Sequence, residues 1–173
     1  MEDIKILEHR GGWCQGIEKY QEANWQNSYE AFRSSFNRKN GVEVDVRDKD
    51  QDIVVSHEMP SKVEMALDRL FLLCKEYKTI GTIALNIKAD GLQKRLKELL
   101  DKYEIEDYFL FDILISEIPM FTTYGLNYYL RQSEYEPNPK NTCYSIYKDA
   151  KGIWLDQLKG SKGHKSWISE ETI

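Results

Sequence analysis

Carboxylates and histidines, the side chains that hold metal ions and move protons, cluster in the first third of the chain. Glu43 and Asp45 alternate with valines in residues 41–47, so a β-strand would place both carboxylates on one face. Two carboxylates at the end of one strand suit a divalent cation that is bound through oxygen atoms. A solvent-exposed strand face would carry the same charges at no cost, and the alternation alone fits both interpretations.

Two histidines lie next to short apolar segments. His9 and Arg10 follow the apolar run at residues 4–7 and precede paired glycines, which is typical of a buried strand that leads into a tight, anion-binding loop. A predicted polar turn at residues 48–52 leads into a second β-branched run at residues 53–56, which completes a predicted hairpin and ends at His57. Histidine titrates near neutral pH and can transfer protons, although a loop histidine more often makes only a structural hydrogen bond.

The elements that must position these side chains alternate between strands and helices. Asn27 or Ser28 can cap a helix with aromatic residues at helical spacing, and Gly41 follows its end. A strand, a helix and a strand in succession predict a parallel, right-handed crossover. The later pattern predicts a helix after a Pro60-Ser61 cap, helices at residues 91–103 and 116–124, and strands at residues 82–88, 108–112, 127–131 and 152–156.

Five motifs occur in an order and at a spacing that resemble the glycerophosphodiester phosphodiesterase family. The family motifs are His-Arg-Gly, Glu-Asn-Thr or Glu-Asn-Ser, Ala-Phe, Gly-x-Glu-x-Asp and Val-x-His-Asp. Five matches over about a third of the chain are far more specific than any one of them. The matching segments are Glu8-His9-Arg10-Gly11, Asn27-Ser28, Ala31-Phe32, the set Gly41, Glu43 and Asp45, and Val54-Val55-Ser56-His57-Glu58.

The resemblance implies a TIM-type (β/α) barrel that hydrolyses a small glycerophosphodiester-like or sugar-linked phosphodiester with a divalent metal ion, Mg²⁺ or Ca²⁺. A cation and an arginine would neutralise the phosphodiester, and two histidines would accept and donate protons. Carried over by position, the family's roles fall on His9 and His57 as the acid–base pair, Glu43 and Asp45 as metal ligands, and Arg10 and Lys88 as phosphate contacts.

The sequence departs from the family pattern at two carboxylates. Asn86 stands where a third metal-binding glutamate is usual, and Gln26 stands where Glu-Asn-Thr has its glutamate. An amide oxygen can still bind a hard cation, but it brings no charge. We therefore expect Asn86 to be a third, weaker metal ligand. The candidate replacements for the missing carboxylates are Asp112, Glu134 and Glu136.

Four further residues lie near the carboxyl ends of later predicted strands, where TIM barrels carry their functional groups. Arg131 and Glu134 are predicted substrate contacts, with ordinary loop charge as the alternative. Trp154 would pack against an organic headgroup of the substrate, and Asp156 would hydrogen-bond to the hydroxyl or amine groups of that headgroup. A tryptophan at a strand end, however, often serves packing alone.

The predicted strands number about six, whereas a complete (β/α)₈ barrel has eight. We therefore expect a single barrel domain over residues 1–173 with its last two units missing or rebuilt. Such a barrel would expose two strand edges. A truncated sequence, an eroded homologue, and closure by a partner chain or a dimer each account for this expectation.

Composition limits the partners. The formal net charge of −5 provides no basic surface for DNA or RNA. The sequence has no apolar run long enough to span a bilayer and no signal-peptide pattern at its start, so the cytoplasm is the expected compartment.

Three functions compete. The first is the metal-assisted phosphodiesterase, and the second is a catalytically weak or inactive barrel that binds a phosphorylated small molecule. The third is a cyclising lipase of the sphingomyelinase D or phosphatidylinositol phospholipase C type, which shares the barrel and the histidine pair. The absence of a signal peptide and of a disulfide framework argues against the third.

Overall fold

A computed structural model describes residues 4–12, 25–60, 64–77, 80–136, 148–159 and 166–168. These residues form an α/β fold in which strands and helices largely alternate. The strands are β1 (Leu7–Glu8), β2 (Gly41–Lys49), β3 (Asp52–Val55), β4 (Met65–Ala66), β5 (Ile83–Ile87), β6 (Tyr108–Phe111), β7 (Tyr129–Gln132) and β8 (Gly152–Leu155). The helices are α1 (Tyr29–Asn37), α2 (Leu67–Glu76), α3 (Gln93–Tyr103) and α4 (Ile118–Thr123).

Parallel pairing dominates the sheet. β2 pairs in parallel with β1 and β5, and β5 pairs in parallel with β6. β7 and β8 form a second parallel pair, which a bridge between Leu110 and Tyr128 joins to β6. The parallel strands therefore follow one another in the order β1-β2-β5-β6-β7-β8, and the predicted parallel pairing of β1 and β2 across α1 is confirmed.

Two short antiparallel strands, β3 and β4, are added to the sheet beside β2. β3 pairs with the second half of β2, with Val46 opposite Val55, and β4 pairs with β3. The turn between β2 and β3 passes through Asp50 and Gln51, both with positive φ. The predicted polar turn and the second β-branched strand are thus confirmed.

Apolar side chains cover both faces of the sheet. The larger core lies between the sheet and the helices and includes the three valines of β2, which are fully buried. A smaller aromatic cluster covers the other face, where Phe109 stacks on Tyr129 at 4.0 Å and Phe111 on Trp154 at 4.3 Å. A cavity of about 700 Å³ adjoins this cluster and is lined by residues of β1, β6, β7 and β8.

The predicted start of the second helix is wrong. The pattern placed it after a Pro60-Ser61 cap, whereas α2 begins at Leu67. Met65 and Ala66 hydrogen-bond to β3 in an extended conformation, so the chain turns helical only after this pairing ends. Because the apolar positions of Leu70 and Cys74 suit a helix from either start, the sequence pattern could not distinguish the two.

Glu8 is a buried carboxylate that anchors β1 to α1. Its side chain is only 1% exposed, and Arg38 binds it in a bidentate fashion at 2.9 and 2.6 Å. Ser35 Oγ and Asn40 Nδ2 donate two more hydrogen bonds at 2.9 and 2.8 Å. Burial raises the pKa of Glu8, but the hydrogen bonds from Arg38, Asn40 and Ser35 outweigh it and hold the pKa below the usual range.

Replacing Glu8 with glutamine is expected to lower the free energy of unfolding at pH 7 by about 2–4 kcal/mol, because it leaves buried donors without an ionised acceptor. The lowered pKa means that the carboxylate stabilises the fold above the unfolded-state value and loses this effect as the pH falls through the folded-state value. Urea unfolding at pH 7 and pH 3 should therefore show a smaller difference at pH 3. Glu106→Gln, at an exposed position, is the control, and equal losses in the two variants would contradict this role.

Candidate active site

The carboxyl ends of β1, β2 and β5 meet at one edge of the sheet, because neighbouring parallel strands run in the same direction. β1 ends in a 3₁₀ turn at His9–Gly11. Glu43 and Asp45 lie on β2, and Asp45 is the register partner of Asn86 on β5. We call this edge the mouth.

A tight turn brings the start of the chain against these carboxylates. Arg10 and Gly11 both have positive φ, at 49° and 70°, and a Cβ at Gly11 would lie 2.7 Å from the Phe32 ring of α1. The turn directs the Arg10 backbone N–H at Glu43 Oε2, 3.1 Å away, and places His9 Nε2 3.7 Å from the same oxygen. Glycine is therefore required here for close packing and for backbone conformation.

Asp45 is fully buried and lies among cationic and amide groups. Arg10 Nε lies 2.8 Å from Asp45 Oδ2, and Asn27 Nδ2 donates a hydrogen bond to that oxygen at 2.9 Å. Lys88 Nζ lies 3.4 Å from Asp45 Oδ1. Arg10 Nη1 also donates to Gln26 Oε1 at 2.9 Å. The amide that replaces the family's glutamate thus contacts the arginine of the His-Arg-Gly motif.

His57 follows β3 and reaches the same region. The loop is tied to β2 because Ser56 N–H donates to the Asp45 carbonyl at 3.0 Å. His57 itself is exposed, and its Nδ1 lies 2.7 Å from Glu58 Oε1. Burial lowers the pKa of His9, and the charges of Arg10, His57 and Lys88 lower it further. With its pKa lowered, His9 is largely neutral at pH 7 and able to accept a proton.

Glu43 is the most perturbed acid at the mouth. Burial and the neighbouring charge of Asp45 raise the pKa of Glu43 to about 7, although hydrogen bonds from Asn86 Nδ2 and the Arg10 N–H act in the opposite direction. A carboxyl with a pKa near neutrality, in a cleft with histidines, is typical of functional sites.

Two buried oxygens at the mouth accept no hydrogen bond within the described residues: Asp45 Oδ1 and Asn86 Oδ1. Together with Glu43 they form a set of two carboxylates and one amide, and such oxygen ligands suit Mg²⁺ or Ca²⁺. The described residues contain no group of three or more His, Cys, Asp or Glu side chains arranged for a metal ion. The donors therefore fit a cation in chemical type, with only two charged ligands.

A second charge network continues across the ends of β6 and β7. Asp112 follows β6 with a φ of 60° and lies 3.8 Å from Lys88 Nζ. Arg131 Nη1 donates to Asp112 Oδ1 at 3.1 Å, and Arg131 Nε donates to both Glu136 oxygens at 3.0 and 3.2 Å. Asp156 follows β8, where its N–H donates to the Gln132 carbonyl at 2.9 Å, and burial and the charge of Asp112 raise its pKa. Sequence reasoning proposed Arg131 and Asp156 as substrate contacts but did not foresee these pairs.

Two predicted substrate contacts have structural partners. The Glu134 carboxylate accepts hydrogen bonds from the backbone N–H groups of Leu158, at 3.1 Å, and of Lys159, and so ties the segment after β8 to the end of β7. Trp154 stacks on Phe111 within the smaller aromatic cluster. Both residues lie near carboxyl ends of strands, and their contact with a substrate stays a prediction.

Comparison with solved structures identifies the fold. A protein from Galdieria sulphuraria assigned as a glycerophosphodiester phosphodiesterase matches with a TM-score of 0.69 and 18% identity, over 88% of this chain and 75% of that chain. The fold is that of glycerophosphodiester phosphodiesterases. The glycerophosphodiester phosphodiesterase from Agrobacterium tumefaciens matches with a TM-score of 0.55 and 14% identity, over 76% of this chain and 66% of that chain.

The resemblance first seen in the motifs is therefore supported independently by three-dimensional similarity to glycerophosphodiester phosphodiesterase structures. No protein-family model and no curated protein matches the sequence.

None of the described helices is both long enough and apolar enough to cross a membrane.

Proposed function

We propose that the protein is a metal-assisted phosphoric diester hydrolase that acts on a glycerophosphodiester-like or sugar-linked phosphodiester. The observation that carries the proposal is the set of groups at the mouth. Arg10, Lys88, Glu43, Asp45 and His9 lie at one edge of the sheet, and the residue before His57 is hydrogen-bonded to the Asp45 backbone. General acid–base catalysis on an anionic ester needs this combination.

The cationic side chains bind the phosphate, and the two histidines transfer protons. Arg10 and Lys88 bind the non-bridging phosphoryl oxygens and reduce the negative charge that repels a nucleophile. Neutral His9 accepts a proton from the attacking water, and His57 donates a proton to the departing alkoxide. The contact between His57 and Glu58 favours the orientation in which His57 Nε2 is available for this step.

Glu43, Asp45 and Asn86 would hold the divalent cation. When bound, the cation supplies Lewis-acid stabilisation of charge on the phosphoryl oxygens. Cation binding requires the ionised form of Glu43, whose raised pKa makes binding weaker below neutral pH. Asn86 contributes an oxygen without a charge, so we expect a lower affinity than a third carboxylate would give.

We further propose that the six parallel strands are about six of the eight units of a TIM-type barrel, in one domain over residues 1–173. β1 and β8 line the same cavity, and within the described residues they are not paired with each other. A partner chain or a second copy could close this side of the barrel.

Binding without hydrolysis is the second candidate. Asp45 already interacts with Arg10 and Lys88, so the mouth is partly neutralised by its own cations. Asn86 and Gln26 also lack the charge of the family's carboxylates. Such a site would retain phosphate binding even where catalysis is weak.

A metal-dependence assay distinguishes the two candidates. Hydrolysis of a phosphodiester panel should fall by about 10²-fold or more after treatment with a chelator and recover when Mg²⁺ or Ca²⁺ is added back. Asp45→Asn should lose this response, whereas Asp107→Asn, at an exposed position outside the mouth, should keep it. Phosphate binding without turnover of any panel member, with or without metal, would establish the binding function instead.

A further inference from the structure

Arg47 lies at the mouth beside Lys88, a position to which the family pattern assigns no role. It is two residues beyond Asp45 on β2, so both side chains lie on the same face of the strand. The register pairs Asp45 with Asn86 and Val46 with Ile87, and the Lys88 N–H donates to the Val46 carbonyl at 3.0 Å. The next positions in this register are Arg47 and Lys88, which places two cations next to each other.

The two cations differ in their partners. Lys88 has Asp45 and Asp112 within 3.4 and 3.8 Å. Arg47 makes no ion pair with any described residue, and its buried Nε has no hydrogen-bond acceptor among them. Its Nη1 contacts Met59 Sδ at 3.7 Å, and a thioether is a weak acceptor. The acid next to Met59 in sequence, Glu58, is paired with His57 instead.

This arrangement is unfavourable without a ligand. Like charges side by side on neighbouring strands repel each other, and a buried guanidinium nitrogen without an acceptor loses its hydration without compensation. The strand does not require a charge at this position, because an uncharged side chain would satisfy the same backbone pairing with β3. An acidic group bound by the Arg47 guanidinium removes both costs.

We propose that Arg47 binds a second acidic group of the substrate, and that the preferred substrate is a phosphodiester with a further carboxylate or phosphate on one of its alcohols. The proposal rests on the proposed function, because it takes the phosphodiester to be bound by Arg10 and Lys88. Two residues along a strand span about 7 Å, so Arg47 lies about that far along β2 from Asp45, the residue that both phosphate-binding cations contact. The second acid therefore lies on the alcohol and not on the reacting phosphorus, and the planar guanidinium suits either acid in a bidentate contact.

Two matched ligands test this proposal by calorimetry. Glycerol 3-phosphate and 3-phosphoglycerate share the phosphate, and only the second also carries a carboxylate. In a buffer that contains Mg²⁺, the wild type should bind 3-phosphoglycerate about tenfold more tightly, which corresponds to one charge-assisted contact. Arg47→Met should remove this advantage while it leaves glycerol 3-phosphate affinity within about twofold, and Arg47→Lys should retain part of it.

The control variant is Arg33→Met, which removes the same charge from an exposed position on α1 and should preserve the preference. Equal binding of both ligands by the wild type, or a preference that survives Arg47→Met, would overturn the role of Arg47 and leave the proposed function in place. Failure of the wild type to bind either ligand would overturn the proposed phosphate site, and the role of Arg47 with it.

Discussion

Replacing Glu43 with glutamine is expected to raise the free energy of unfolding at pH 8 by about 3 kcal/mol and to reduce hydrolysis by at least about 10²-fold. The gain in stability follows from the pKa of about 7 that burial and Asp45 impose on a carboxyl whose ordinary value is 4.5. Each unit of difference between folded and unfolded states corresponds to about 1.4 kcal/mol. The loss of activity follows from the proposed role of the Glu43 carboxylate as a metal ligand.

The sign of the pH dependence is specific. The folded-state pKa of Glu43 is raised, so the folded protein keeps a proton that the unfolded chain releases. The protonated form contributes its stability fully below pH 4.5, and this contribution is lost as the pH rises through about 7. The wild type should therefore lose stability over this window relative to Glu43→Gln, and the two proteins should differ little at pH 4.5.

Glutamine can keep both hydrogen bonds that the Glu43 side chain makes. Glu43 Oε2 accepts the Arg10 N–H, and a glutamine Oε1 could take its place. The new amide N–H₂ group would face Asn86, whose Oδ1 lacks a hydrogen bond within the described residues. Rotation of the Asn86 amide would direct that oxygen at the new donor, so the substitution removes a charge and retains a hydrogen-bonded pair.

Urea unfolding from pH 4.5 to pH 8 measures this prediction. Glu76→Gln removes a charge from an exposed position at the end of α2 and should show no comparable gain. Added Mg²⁺ or Ca²⁺ should raise the thermal midpoint of the wild type at pH 8 but not that of Glu43→Gln. A variant that is less stable than the wild type at pH 8 would show that Glu43 stabilises the fold as an ionised group, contrary to its assigned environment.

Replacing His57 with alanine is expected to lower kcat by about 10²–10⁴-fold without changing the fold, because the proposed step loses its proton donor. His57 is exposed and its partner Glu58 is also exposed, so truncation leaves no buried group unsatisfied. The thermal midpoint should therefore remain within the range of neutral surface substitutions. KM should change little, since the phosphate contacts are Arg10 and Lys88.

A second histidine variant makes this prediction more specific. His9→Ala and the double variant should each lose about as much activity as His57→Ala alone, because groups that act together in one step are not additive. Glu58→Gln should have a smaller effect, since it alters the orientation of His57 and leaves the imidazole in place. A His57→Ala variant with wild-type kcat on an active enzyme would exclude the acid–base role.

The sequence predicts the local elements around the mouth well, for identifiable reasons. Alternating valines and charges on β2 require one buried face, and the polar turn that follows favours a hairpin. Ser28 was a predicted cap, and its Oγ accepts the Ala31 N–H at 3.2 Å at the start of α1. In each case the determining contacts lie within a few residues along the chain.

Contacts between distant segments were not predictable in this way. Glu8 appears in the sequence as one charged residue of a motif, yet it is buried because partners about 30 positions away enclose it. The pairing of Arg131 with Asp112 likewise depends on which strand ends become neighbours. β4 is only two residues long, and tertiary pairing with β3 delays the start of α2 beyond the point that the capping pattern indicated.

The central claim is that the mouth hydrolyses one of the two phosphorus–oxygen ester bonds of a phosphodiester and releases the alcohol. Phosphorus NMR of glycerophosphodiesters incubated with the protein and Mg²⁺ or Ca²⁺ tests it most directly. The account predicts that the diester resonance is replaced by a phosphomonoester resonance, and that the replacement is slowed at least about 10²-fold in His57→Ala. An unchanged diester resonance with the wild type, or equal conversion by the wild type and the variant, would contradict the account.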